Sequence, residues 1–123
     1  MYRFDIINHL IKKYNYQTYL EIGVEDGDCI GLVNAPLIHG VDPVSRGKGV
    51  THQMTSDEFF RDYPLTYDII FIDGLHVDEQ VYRDVLNSLE HLNPGGTVVL
   101  HDANPPTEWH QRSYQVAQQN GCR

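Results

Sequence analysis

The chain has 123 residues, 41% of them hydrophobic and 21% charged, and carries a formal net charge of -8. That length makes a single domain, expected over residues 1–123, with enough core to fold alone. The acidic balance argues against a nucleic-acid partner, because phosphate binding needs a basic face and Arg46 and Lys48 do not make one. No apolar run approaches the ~18 residues of a membrane span, and Met-Tyr-Arg-Phe-Asp opens no signal peptide. A cytoplasmic protein with no membrane partner is therefore expected. Cys29 and Cys122 read as two unpaired thiols of a reducing compartment.

Phe4, Ile7, Leu10, Ile11 and Tyr14 recur at spacings of three and four, which predicts a helix over residues 3–14. Lys12 and Lys13 suit its C-terminal end, and Asn15 stops it. A strand follows over residues 18–23, and it runs into Glu21-x-Gly23-x-x-x-Gly27. Glycines at those places permit positive φ or the close approach of a ligand. The spacing differs from the Gly-x-Gly-x-x-Gly of dinucleotide folds. Cys29, Ile30, Leu32 and Val33 supply one face of a short helix that Pro36 limits. Leu37 to Asp42 reads as a second strand, residues 43–49 as a glycine-broken loop, and Val50 to Thr55 as a third, edge strand.

Ser56 reads as the N-cap of a helix with Asp57 and Glu58 in its first turn, Phe59 and Phe60 as its contacts and Pro64 as its stop. Tyr67 to Asp73 contains Ile-Ile-Phe-Ile, a run expected of a strand covered on both faces. Asp78 to Leu92 is a helix with its stripe at Val81, Val85, Leu86, Leu89 and Leu92. Asn93-Pro94-Gly95-Gly96 stops it, and Thr97 to Leu100 is a fifth strand that leads into His101 and Asp102. After Pro105 and Pro106, Thr107 caps a last helix through about Asn120, with Trp109 and Val116 as its apolar residues.

Strands that alternate with helices predict an α/β, Rossmann-like three-layer sandwich. The expected sheet is mainly parallel, of about five strands in the order 3-2-1-4-5. Ligands of such sheets bind beyond the carboxyl ends of the strands. Those ends carry Glu21 and Gly23, Asp42, Asp73 with His76 three residues on, and His101-Asp102 with Asn104.

Phe71-Ile72-Asp73-Gly74-Leu75-His76, then Pro94-Gly95-Gly96, then His101-Asp102 resemble a known family. It is the class I S-adenosylmethionine-dependent methyltransferases, in their small-molecule O-methyltransferase-like branch. The resemblance covers about residues 18–105. It implies that Glu21, Gly23, Val24 and Gly27 form the turn that meets the amino-acid part of the cofactor. It implies that Asp42 accepts from the two ribose hydroxyls, as an acceptor-only carboxylate can. Ser56 and Asp57 would meet the adenine, and Asp73 would stand beside the methyl donor and the substrate. His76, with an ordinary pKa near ~6.5, would serve with Asp73 as general base. Asp73, Asp102 and Asn104 would suit a divalent cation such as magnesium.

The chain departs from the family pattern in three places. Glu25 stands where a glycine is usual, the segment between strands two and three lacks its helix, and the chain stops short of two further strands. Each residue also has a structural reading: Asp42 an Asp-Pro turn, Ser56 and Asp57 capping, Asp73 a cap after its strand, and His76 a solvated loop. The expected function is methylation of a hydroxyl on a small-molecule acceptor. The alternative is a non-catalytic cofactor-binding or interaction module, which an exposed sheet edge would let pair into a homo-oligomer. A nicotinamide dehydrogenase also fits the alternation but not the glycine spacing.

Overall fold

Helix α1 (Arg3–Tyr14) closes where Asn15 turns to φ 55 and the Tyr16 N–H reaches back 3.0 Å to the Ile11 carbonyl. A left-handed asparagine with this six-residue bond is a common helix stop. The structure, a computed structural model, describes residues 3–73, 78–101 and 116–119. After α1 come β1 (Thr18–Ile22), a single 3-10 turn at Ile30–Leu32, β2 (Leu37–Val41), α2 (Ser56–Asp62), β3 (Tyr67–Ile72), α3 (Asp78–Glu90), β4 (Leu92–His101) and β5 (Val116–Gln119).

The five strands form one sheet in the order β2-β1-β3-β4-β5, and every pair is parallel. Alternation along each strand divides the core in two. Leu20, Ile22, Val41, Ile70, Ile72, Val98 and Leu100 face α2 and α3, where Phe59, Phe60 and Val85 meet them. Tyr19, Ile69, Phe71 and Val99 face the other way, onto Ile7 and Ile11 of α1 and onto Val24, Cys29 and Ile30. Both sides of the central strands are dry, which explains their unbroken apolar runs. Cys29 is buried and in no disulfide; Cys122 lies outside the described residues.

The α/β class, the parallel sheet and the adjacency of β2, β1, β3 and β4 agree with expectation, and four details differ. Residues 50–55 do not form a strand; they touch β2 through one bridge, Val41 to His52. The Thr51 and His52 N–H groups donate to the Gly40 carbonyl at 2.9 and 3.0 Å and the Thr51 hydroxyl accepts from the Gly40 N–H at 3.0 Å, so the segment is pinned to β2 at one place and does not run on as a ladder. Residues 116–119 are strand β5, paired with Val98–His101, where a helix was expected over 107–120. The open edge of a buried strand offers backbone partners that outweigh the helix propensity of glutamine.

Thr55, not Ser56, caps α2. It forms a reciprocal box with Glu58, which leaves the Ser56 side chain for other partners. Finally, Asn93–Gly96 is a bulged start to β4, and the register jumps between Tyr67↔Leu92 and Ile69↔Thr97. Gly95 takes φ 81 there, and a Cβ on Gly96 would lie 2.6 Å from the Asp68 carbonyl.

Candidate functional site

The order β2-β1-β3 means that the chain leaves β1 on one side and returns on the other. A crevice opens at such a switch beyond the carboxyl ends of the strands. The turn after β1 fills its floor. Gly23 has φ 88, and its N–H bonds the Val41 carbonyl at 2.8 Å, which ties the turn to the end of β2. Gly27 has φ 84 and donates to the Val24 carbonyl at 3.1 Å.

Glu25, in the usual glycine place, also adopts a left-handed φ of 56. Non-glycine residues rarely do so, and the conformation costs of order 1–2 kcal/mol. Asp42 offsets it. Its Oδ2 accepts the Glu25 N–H at 2.9 Å and its Oδ1 accepts the Val44 N–H at 2.9 Å. Asp42 therefore clamps two loops at the carboxyl edge, and each of its oxygens keeps a lone pair for a further donor.

The loop after β2 lies directly on this turn. A Cβ on Gly27 would sit 2.2 Å from the Lys48 carbonyl oxygen, and one on Gly47 would sit 2.8 Å from that of Asp26. The close approach that Gly27 allows is thus an approach of this chain's own backbone. Val24 is buried among the α1-side core residues.

On the α2 and α3 side of the sheet a cavity of about 130 Å³ is lined by Ile22, Gly23, Val41, Pro43, Thr55, Ser56, Gln80 and Asp84. Pockets that enclose a whole drug-sized ligand usually exceed ~300 Å³, so this one takes one portion of a ligand. Its polar end is a network. The Ser56 hydroxyl donates to Asp84 Oδ1 at 2.6 Å, and the Gln80 amide donates to Asp84 Oδ1 at 2.9 Å and to the Ser56 oxygen at 3.1 Å. Burial pushes the Asp84 carboxyl above the usual range, and the bonds from Ser56 and Gln80 oppose it only in part. Asp57 lies at the exposed rim, where Arg83 Nη2 approaches its Oδ2 at 3.5 Å.

Glu21 and Asp73 are placed elsewhere. Glu21 shares the α1 face with Tyr19, whose phenol donates to its Oε1, and it is only 1% exposed. Asp73 is buried just past β3, and its N–H bonds the Ile22 carbonyl at 2.7 Å. The register Ile72↔Leu100 sets Asp73 beside His101, one step further along β3 and β4. The crevice thus has two flanks. One is the cavity with Ser56, and the other is the carboxyl end of β3 and β4 with Asp73.

His76, Asp102 and Asn104 lie outside the described residues, as do Trp109 and His110. Among the described residues no group of three or more His, Cys, Asp or Glu could hold a metal ion. His39 and His52 do not line this crevice. They pack edge to face on the α2 side of the sheet, where His52 meets the Phe59 and Tyr63 rings and the His39 Nδ1 lies 2.7 Å from the Tyr67 hydroxyl. Burial, and then the neighbouring His52, lower the His39 pKa, and burial pushes Tyr67 up to about 12.

Sequence reading missed Gln80 and Asp84. The signal was present: Gln80, Asp84 and Ser88 recur every fourth residue, one place before the apolar row Val81, Val85 and Leu89. Asp84 and Ser88 are buried, whereas Leu86, expected in the stripe, is 38% exposed. The buried face of α3 is rotated toward its polar row.

A family model described as a methyltransferase domain matches residues 20–103, from the middle of β1 to just past β4. The chain belongs to this methyltransferase domain family. No curated protein and no solved structure matches it. The matched span contains the glycine turn, Asp42, the cavity and Asp73, so the family assignment and the crevice coincide. S-adenosylmethionine is the general cofactor of methyltransferase domains. Asp84, Ser56 and Gln80 line this cavity together with Gly23 and the apolar Ile22, Val41 and Pro43, a mixture that fits a ligand with a flat, partly polar portion. Among the described residues no helix is long and apolar enough to cross a membrane.

Proposed function

We propose that the methyltransferase domain binds S-adenosylmethionine and transfers its methyl group to a hydroxyl of a small molecule. One observation carries the reading. Within the family-matched span, the glycine turn, the Asp42 clamp and the Ser56–Gln80–Asp84 network all border one crevice at the carboxyl ends of parallel strands.

Gly23 and the turn to Gly27 would hold the amino-acid tail. Asp42, already fixed at both oxygens by backbone N–H groups, would accept the ribose hydroxyls without reorganising. Ile22, Val41 and Pro43 would flank the base, and Ser56 would lie at its edge, with Asp57 at the rim. The cofactor supplies a methyl carbon already activated on a sulfonium. What remains for the protein is to align the acceptor and remove its proton. Asp73 and His76 are the groups proposed to take that proton. The small-molecule acceptor, rather than a nucleic acid, accords with the net charge of -8.

Titration calorimetry with S-adenosylmethionine and with its demethylated product tests the cofactor half. Saturable heat at micromolar concentrations is expected. A folded protein that gives none at high micromolar concentration refutes it. Transfer of a labelled methyl group to small hydroxyl compounds, abolished in Asp73→Asn with cofactor binding intact, tests the catalytic half. Cofactor binding with no transfer to any acceptor would favour the non-catalytic module instead.

A further inference from the structure

We propose that His39 and His52 form a proton-sensitive latch on residues 50–56, which releases one wall of the ligand cavity when both rings are protonated. This rests on the cofactor reading above and adds a pair of positioning residues that do not themselves line the cavity. The two rings lie 5.1 Å apart, centre to centre, and both are half-buried. Each has a hydrogen bond at Nδ1, His39 with the Tyr67 hydroxyl at 2.7 Å and His52 with the Thr51 hydroxyl at 2.8 Å. A hydroxyl can donate to a neutral ring or accept from a charged one, so either ring alone can take a proton in place. Two protons set like charges side by side. Tyr67 of β3 faces His39, and its neighbour on β1 is the apolar Leu20. Phe59 and Tyr63 of α2 face His52 at 5.1 and 4.8 Å. The charged groups of α2 are engaged elsewhere, Asp57 with Arg83, Glu58 with Thr55 and Arg61 with Asp62. Burial and the His52 charge both lower the His39 pKa, and Tyr67, pushed up to about 12, stays neutral.

The latch acts where residues 50–56 meet β2. The Thr51 and His52 N–H groups and the Thr51 hydroxyl all hold Gly40. His39 is the residue before Gly40, and His52 belongs to the segment held on it, so repulsion between the rings pulls directly on this contact. The Asp42 N–H is bonded to the His52 carbonyl at 3.4 Å, which ties the same contact to the end of β2. Three and four residues beyond His52, Thr55 and Ser56 line the cavity, opposite Val41 and Pro43. Lifting the segment therefore separates the two walls between which the ligand would lie. The direction follows from linkage. The latched state holds the His39 pKa below that of a free imidazole, so the open state binds more protons. Opening becomes easier as pH falls through the free value near ~6.5.

Amide hydrogen exchange of the ligand-free protein at about pH 7 and about pH 5.5, corrected for the intrinsic rate, tests the latch. Protection of the Thr51 and His52 amides is expected to fall about three- to tenfold relative to Ile70 in β3. His39→Asn keeps a polar group near the place of Nδ1 and cannot be charged, and His52→Asn does the same toward Thr51. Either variant should make the protection independent of pH. Wild-type protection that does not change overturns the inference and leaves the cofactor reading standing. A pH dependence that survives in both variants also overturns it. Calorimetry with S-adenosylhomocysteine adds the ligand. Wild-type affinity should fall by a similar factor between the two pH values, whereas His39→Asn should hold its affinity. Exchange that depends on pH beside an affinity that does not overturns the link to the cavity wall. Binding at neither pH overturns the cofactor reading, while the exchange, which needs no ligand, still decides the latch. Proton NMR of the wild-type rings serves even if neither variant folds. Two separated titration steps for the pair are expected, and independent single steps near ~6.5 overturn the inference.

Discussion

Replacing Gly27 by alanine separates the two things a glycine can do. At Gly27 the backbone has φ 84, and a Cβ would stand 2.2 Å from the Lys48 carbonyl oxygen and 3.0 Å from its carbon. The left-handed conformation costs an alanine ~1–2 kcal/mol. Overpacking against an atom that cannot rotate away costs a further ~1–3 kcal/mol. Lys48 presents backbone, so the whole loop 43–49 must lift. The expected loss is about 2–5 kcal/mol, which lowers Tm by roughly 6–25 °C for a domain of this size.

Two internal controls share the chemistry of the change. Gly95 has φ 81 with nothing within 4 Å of its Cβ position, so Gly95→Ala should cost only the conformational ~1–2 kcal/mol. Gly31 has neither feature, and Gly31→Ala should be neutral or stabilising by up to ~1 kcal/mol. Urea titrations followed by circular dichroism measure all three. Equal losses for Gly27→Ala and Gly95→Ala would mean that the loop gives way freely, and the packing of Lys48 on the turn would be refuted as a source of stability.

Thr55→Ala removes the α2 capping box, in which the Glu58 N–H meets Thr55 Oγ1 at 3.2 Å and the Thr55 N–H meets Glu58 Oε1 at 3.1 Å. About 1 kcal/mol of stability should go. Nucleoside affinity should also fall severalfold, because Ser56 is the next residue; thermal melts with and without S-adenosylhomocysteine show both. Asp68 holds the amino ends of three strands together. Its carboxylate accepts from the Gln17 and Thr18 N–H groups at 2.7 and 3.3 Å and from the Asn93 amide at 2.9 Å. Burial alone would raise its pKa, but these bonds together hold it below the usual value. The folded-state pKa is depressed, so this stabilisation is present above the unfolded value near ~3.9 and is lost as pH falls through the folded one. Asp68→Asn should cost ~1–3 kcal/mol at pH 7 and flatten the acid limb below about pH 4. Urea midpoints at pH 7 and pH 3 check this, and an acid limb unchanged in the variant would refute it.

The strands legible in the sequence were those whose burial is two-sided. Ile69-Ile70-Phe71-Ile72 has no other place to go than a covered sheet, and the helix stripe of Ile7 and Ile11 needs a face to cover. The placement of Asp42 and Asp73 just past β2 and β3 was legible for the same reason, since a polar residue that ends an apolar run marks the sheet's carboxyl edge. Where competition between partners decided the outcome, local pattern misled. Residues 51–52 met β2 at a single bridge, held on Gly40 by their N–H groups and the Thr51 hydroxyl, and did not extend into an edge ladder. Thr55 outcompeted Ser56 as a cap because Glu58 stands three residues on from it. Val116–Gln119 joined β4 because an open edge was there to join.

By itself, the sequence determined the alternation of strands and helices, the parallel sheet and the turn from Gly23 to Gly27, because periodicity and backbone freedom are local properties. Only the tertiary structure decided what each polar group faces. Gly27 admits the Lys48 carbonyl because loop 43–49 folds back across the turn. Glu21 lies behind the sheet because alternation puts it with Tyr19. Asp84, one acid among several on an amphipathic helix, becomes a buried carboxylate at the end of a cavity. That follows from the packing of α3 against α2, a contact between residues 28 positions apart that no local pattern encodes.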